Sequence, residues 1–278
     1  MTLNAAQQLV HSLVMDGGSR ILAIDETRLL HAGRAPRADA EVAADPNAVR
    51  PPTSVAVIPL IGALYNRSQW GGPSMAAFRA NLAAAVANPD VGAVILDIDS
   101  PGGTVAGTPE TAAAVRAAGA VKPVTAVVDS LAASAAYWIA SQAGSIVVSP
   151  SAEVGSIGCL VVHMDLSSML EAEGIKTTII RSVPAKAEGN PFEPLSADAI
   201  TAIKGEVDAT HADFVRAVAA GRKTSQANVN ETFGQGRTVS AARAVSLGMA
   251  DRVGTMADVL GGMRTKHAFR KRSAIAFL

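Results

Sequence analysis

The sequence predicts an α/β fold of repeated βαβ units, and three observations carry the prediction. From Ser54 onward, short β-rich runs alternate with alanine-rich runs, which is how strands joined by helical crossovers read in a sequence. Two of these stretches, Ala93–Gly103 (AVILDIDSPGG) and Val124–Ala140 (VTAVVDSLAASAAYWIA), read as buried strands ending in special loops. In a parallel sheet such loops face one crevice beyond the carboxyl ends of the strands. Finally, 278 residues with 49% apolar content can bury a sizeable core.

Residues 1–15 (MTLNAAQQLVHSLVM) lack the basic start and unbroken apolar centre of a secretory signal and predict an amphipathic helix. A short strand, RILAID, follows, and Arg34–Thr53 then carries Pro36, Pro46, Pro51 and Pro52 as a linker. Further strands are expected at Val55–Leu60, Ala93–Ile98, Val124–Val128, Ser145–Val148 and Thr177–Arg181. Helices are expected between them at Ser74–Ala87, Thr108–Ala118, Ser134–Gln142 and Leu166–Glu173. Ser196 reads as the N-cap of a long helix through Ala220, because Ile200, Ile203, Val207, Phe214 and Val218 recur at roughly helical spacing. A last helix, Ser240–Leu247, ends at Gly248 as a C-cap should. The tail, with Arg264, Lys266, Arg270, Lys271 and Arg272, reads as a solvated or disordered end. The expected organisation is an N-terminal helical extension and linker over 1–53, a main domain over 54–262 and a basic C-terminal tail over 263–278.

Composition excludes several classes of partner. Lys+Arg and Asp+Glu both number 24, so no net field holds a nucleic acid or an anionic membrane. Cys159 is alone, which rules out an internal disulfide and makes a reducing, cytoplasmic compartment the expectation. No Cys/His spacing suggests a metal site. The longest apolar run, Val55–Tyr65, contains Pro59 and falls short of the about 20 residues of a spanning helix, so no membrane anchor is expected.

Chemistry concentrates at the two loops. Ser134 stands where a strand turns into a helix, and the N–H groups of a helix start lack intrahelical acceptors, so the amide of Ala135 could stabilise an oxyanion formed there. A serine among alanines otherwise serves only close helix packing. In the first loop, Gly102 and Gly103 permit a peptide to approach the backbone and leave amides to donate, so either could complete an oxyanion hole; a Pro-Gly-Gly turn alone is common. The base is less obvious. A GxSxG elbow is absent, and the histidines are His11, His31, His163, His211 and His267. Only His163 is near Ser134 in sequence, and a structural role suits it better, so a lysine enters consideration.

The segments SPGG, LAASAAYWIA, AEVGSIG and KAEGNPFEPLS occur in an order and spacing that resembles the signal peptide peptidase A family of serine proteases, over residues 54–260. The wording is most similar to the phage and prophage branch, whose members process head scaffold during capsid assembly. The resemblance implies a ClpP/crotonase-like repeated βαβ spiral and a Ser–Lys dyad. Position by position, the nucleophile falls on Ser134, the general base on Lys186, 52 residues further on, and a lysine-orienting serine on Ser156. Lys186 lies in a Pro/Gly-rich loop (SVPAKAEGNP), where an apolar cleft could desolvate its amine and leave it able to accept a proton. Where many members have glycines after the nucleophile, this chain has Ala135 and Ala136. That substitution bears on the width of the cleft and substrate preference rather than on the chemistry.

The expected activity is hydrolysis of extended or unfolded polypeptides, with no cofactor or metal required and scaffold or capsid protein as the expected substrate. The resemblance also implies a cyclic homo-oligomer, of octamer size, whose active sites are composite, and alanine-rich, weakly charged surface strips agree with such burial. The rival expectations are a general cytoplasmic peptide hydrolase, a catalytically silent capsid scaffold protein and a crotonase-like acyl-CoA enzyme. The last would need carboxylate acid/base groups and a basic nucleotide site.

Overall fold

The structure, a computed structural model, describes residues 22–24, 52, 54–68, 74–266 and 275–277. The expected N-terminal helix over 1–15 and most of the linker lie outside these residues. Two compact units emerge: a smaller one centred on Cys159–Ala212, and a larger one made of Ala23–Gly158 and the chain from Asp213 onward.

The larger unit is organised by strands β1 (Leu22–Ile24), β2 (Ser54–Ile61), β3 (Val91–Ser100), β4 (Gly102–Thr104), β5 (Val124–Ala133), β6 (Ser145–Val148), β7 (Glu153–Gly155), β8 (Thr238–Ser240), β9 (Arg252–Val253) and β10 (Ile275–Phe277). The main sheet runs β10-β2-β3-β5-β6-β9, every neighbouring pair parallel. β1 and β4 form a separate two-stranded pair. The aliphatic runs belong in this sheet because both of its faces are covered: Val94, Ile95, Leu96, Ile98, Ala126, Val127 and Val128 have no exposed surface. β5 is the branching strand. Its first half pairs with β6, and its last residues pair with β7 through Leu131↔Glu153, Ala132↔Val154 and Ala133↔Gly155. β7 continues into an antiparallel pairing with β8. This is the α/β architecture of repeated βαβ units expected from the sequence.

Helices cover the sheet. In α1 (Met75–Ala87) the Ser74 side chain caps the first turn by accepting from the Ala77 N–H at 3.2 Å, and Met75, Phe78, Leu82 and Ala85 form its buried stripe. In α2 (Thr108–Val121) the cap is Gly107, whose φ of 93° suits glycine, and a Cβ there would lie 2.5 Å from Asn66 Oδ1. α3 (Ala135–Ala140) is buried throughout. Its Tyr137 hydroxyl donates to the Met249 carbonyl at 3.0 Å, and burial raises the phenol well above its ordinary range. Trp138 stacks on Phe214, centroids 4.5 Å apart.

The smaller unit contains α4 (Ser167–Ala172), a 3₁₀ turn at Pro184–Ala187 and the start of α5 (Ala197–Gly221). Ser196 caps α5 as expected, its Oγ accepting from the Ala199 N–H at 3.1 Å. α6 (Gln226–Thr232), α7 (Ala241–Leu247) and α8 (Met256–Lys266) follow, and Gly248 ends α7 at φ 80°. No helix among the described residues is long and apolar enough to cross a membrane.

Two expectations are corrected. Thr177–Arg181 forms no strand: the segment is irregular, mostly exposed and has no sheet neighbour among the described residues, so its β-branched composition has nothing to pair with. The tail is not wholly without structure, since α8 runs to Lys266 and Ile275–Phe277 adds a parallel strand along Val55–Val57.

Candidate active site

Ser134 occupies the junction of β5 and α3. Its backbone is left-handed in φ, at φ 53° and ψ −121°, a conformation that costs an L-residue about 1–3 kcal/mol. Strain of this kind at a strand-to-helix turn lifts a side chain out of the ladder, so the chain makes a sharp elbow without the GxSxG wording. The Ser134 N–H donates to the Gly155 carbonyl at 2.8 Å, and its carbonyl starts the helix by accepting from the Trp138 N–H at 2.9 Å. The hydroxyl does not cap the helix. It makes only a long contact to the Gly158 carbonyl, 3.4 Å, at the outer limit of hydrogen bonding. Ser134 is fully buried, as are its neighbours Ala132, Ala133, Ala135 and Ala136.

Ser156 adjoins this elbow. The Ala133↔Gly155 pair is the last of the β5–β7 ladder, and Ser134 and Ser156 are the residues that follow on the two strands. Ser156 is also left-handed, at φ 54°, with its N–H bonded to the Arg237 carbonyl at 2.9 Å. The preceding Gly155 is required, because a Cβ there would stand 2.7 Å from that carbonyl.

The SPGG loop leads from β3 into β4, which packs against α3. Here the structure separates the two candidate donors. The Gly102 N–H is already used, donating to Ser100 Oγ at 3.1 Å, while that hydroxyl donates to the Gly62 carbonyl at 2.7 Å. Leu64 bridges the loop through the Gly102 carbonyl, 2.8 Å, and the Thr104 N–H, 2.9 Å. In such a parallel bridge the residue opposite Leu64 directs its own N–H the other way. That residue is Gly103, and it must be glycine, since a Cβ would fall 1.9 Å from the Leu64 carbonyl oxygen. Ser100 is the contributor that sequence reasoning missed; its signal was a serine two residues before a glycine, the spacing of a side-chain-closed turn.

Lys186 belongs to the smaller unit, apart from the other candidates in this division. It occupies the Pro184–Ala187 turn, and its side chain is exposed. His163 takes a structural role: its Nε2 lies 2.8 Å from the Asn190 carbonyl, to which it can only donate. In the same unit Glu193 is held below the usual carboxylate range, chiefly by its bond to Arg181, with desolvation opposing and the Asn190 bond adding to the lowering. Cys159 is a free thiol that burial pushes up to about 12, which removes it as a competing nucleophile near neutral pH.

A parallel βαβ core thus carries a strained serine at the carboxyl end of a central strand, and a glycine loop leads into the short strand that packs on the helix following it. The profile of Peptidase family S49 matches residues 116–270, more than half of the chain, and the chain belongs to that family. It is 32% identical over 222 residues to the Capsid assembly protease C of Escherichia phage lambda, covering 78% of this chain and 50% of that one. It is 31% identical over 216 residues to the Head-tail preconnector protein GP5 of Enterobacteria phage P21, covering 76% and 43%. The chain thus spans about half the length of these curated relatives. Among solved structures, a single-site mutant of ClpP1 from Listeria monocytogenes superposes with a TM-score of 0.47 at 14% identity, over 75% of this chain and 95% of that one.

Proposed function

We propose that this chain is a serine endopeptidase with Ser134 as nucleophile and Lys186 as general base, acting on extended polypeptides such as phage or prophage scaffold or capsid protein. The observation that carries the reading is the strained backbone of Ser134 at the end of β5, with a hydroxyl that neither caps the helix nor makes a short hydrogen bond. The neutral amine of Lys186 takes the proton from Ser134 Oγ as the oxygen attacks the scissile carbonyl carbon. The carbonyl oxygen becomes an oxyanion held by the N–H groups of Ala135 and Gly103. Gly103 is preferred to Gly102 because the latter's N–H is engaged by Ser100. The protonated lysine then passes its proton to the leaving amine, the C–N bond breaks, and an acyl-Ser134 ester remains. Water, deprotonated by the same lysine, hydrolyses the ester and restores the serine.

Ser156 is assigned to orienting the lysine, on the strength of its place beside Ser134 at the end of the β5–β7 ladder. An exposed lysine is a poor base because water favours its charged form. The exposure of Lys186 therefore supports a composite site in a cyclic homo-oligomer, where a second copy of the chain supplies the dry surroundings. The capsid-processing role is supported by the names of the phage relatives, and on that role the protein would act in the host cytoplasm or the assembling capsid.

The direct test is labelling by a serine-reactive phosphonate together with hydrolysis of an unfolded scaffold or casein-like substrate. Ser134→Ala should lose both while remaining folded. Lys186→Arg should be inactive, since guanidinium stays protonated at any working pH. A folded Ser134→Ala protein that still hydrolyses at the wild-type rate overturns the assignment.

A further inference from the structure

The turn that carries Lys186 is a single 3₁₀ turn, Pro184–Ala187, and such a turn has little stability of its own. Its lysine is exposed, so the packing of that side chain does not fix the turn either. Asn190 supplies the missing restraint. Its Nδ2 donates to the Ala187 carbonyl at 2.6 Å and to Glu193 Oε1 at 3.0 Å, while its Oδ1 accepts from the Phe192 N–H at 2.8 Å. Its backbone N–H reaches the same Ala187 carbonyl at 3.3 Å. The loop beyond is anchored in turn: His163 Nε2 donates to the Asn190 carbonyl at 2.8 Å, the Leu166 N–H donates to the Pro191 carbonyl at 2.8 Å, and Arg181 pairs with Glu193. One amide thus joins the end of the lysine turn to an ion pair and, through its backbone, to the segment before α4.

We propose that Asn190 is a positioning residue, which by gripping the Ala187 carbonyl fixes the Pro184–Ala187 turn and with it the point at which the Lys186 amine is presented. The catalytic part of this inference rests on the reading of Lys186 as the base. The geometry requires an amide: a carboxylate of the same shape could accept from Phe192 but could donate neither to Ala187 nor to Glu193, and would stand beside Glu193 with like charge.

Two readouts on the intact 278-residue chain separate the inference from that reading. The first is the rate at which trypsin cuts the Lys186–Ala187 bond under native conditions, followed by mass spectrometry, which reports local order without any catalysis by this protein. Asn190→Ala and the isosteric Asn190→Asp should both speed this cut by about tenfold, with the overall thermal midpoint little changed. The second readout is hydrolysis of a fluorogenic peptide, where both variants should lower kcat by about tenfold or more and leave KM unchanged. An unchanged tryptic rate overturns the inference, and so does a faster cut with an unaltered kcat in an active enzyme. If wild type neither hydrolyses the peptide nor takes the phosphonate, the proposed chemistry falls, and the tryptic rate alone decides whether Asn190 holds the turn.

Discussion

At the scale of single residues, Ser134 is where local propensity and tertiary structure disagree. Its φ of 53° belongs to glycine, yet a serine stands there. A strained backbone kept at such a point is expected when the side chain is wanted for something other than stability. The conflict yields a measurable trade: Ser134→Gly relieves the strain and Ser134→Ala does not, so the glycine variant should be the more stable of the two by about 1 kcal/mol in denaturant titrations, both being inactive. Equal stability of the two variants would mean that the backbone is not strained in solution. The position of this serine was legible in the sequence from the strand that precedes it and the small residues around it. Its dihedral angles were not, because no alphabet pattern distinguishes an elbow from an ordinary helix start when the flanking residues are alanines.

At the scale of elements, the strands and helices of the parallel core were readable because burial on both faces forces aliphatic runs, and helices carry clear boundary residues such as Ser74 at a start and Gly248 at a stop. Short pieces escaped. β4 is three residues of Gly-Gly-Thr, a composition that argues against a strand, and it is extended because Leu64 brackets it with two hydrogen bonds and β1 pairs with it. β7, β8 and β9 are likewise made by their neighbours rather than by propensity. Thr177–Arg181 is the reverse case, a β-rich segment with no strand to pair with among the described residues. The element most open to test is the SPGG loop. Ser100 is fully buried and bridges the Gly62 carbonyl to the Gly102 N–H, so Ser100→Ala leaves the buried Gly102 N–H and the half-buried Gly62 carbonyl short of a partner. It should cost roughly 1–3 kcal/mol of stability. It should also slow phosphonate labelling of Ser134, as the Gly103 donor loses its fixed place; a labelling rate equal to wild type would dissociate the loop from the oxyanion hole.

For the whole molecule, charge sets a pH dependence and assembly sets the proposed activity. Asp97 on β3 has its carboxyl raised by burial first, then by the charges of Asp129 and Asp99. A raised carboxyl binds its proton more tightly in the folded state. Its contribution is therefore most favourable in acid and is lost as pH climbs through the ordinary carboxylate range and the higher folded value. Asp97→Asn should then raise the thermal midpoint at neutral pH, with the gain vanishing near pH 3; a gain independent of pH would point to packing instead. Assembly is tested by complementation. Ser134→Ala and Lys186→Ala subunits, inactive separately, should regain activity when co-assembled, because some pairs would combine an intact serine with an intact lysine. Mixed oligomers that form and stay inactive at every ratio would place both groups in one subunit.

The stacking of Trp138 on Phe214 has a practical consequence. Trp138 lies one helical turn beyond Ser134, and its indole is almost wholly shielded from water. The only other tryptophan in the chain is Trp70. A Trp70→Phe protein would therefore carry one indole, fixed to the helix that Ser134 begins and in face-to-face contact with an aromatic ring that shapes its emission. Any shift of that helix during acylation would change the ring overlap and so the emitted intensity. If Ser134 is acylated as proposed, this gives an intrinsic optical signal for that step, readable by stopped flow without a labelled substrate.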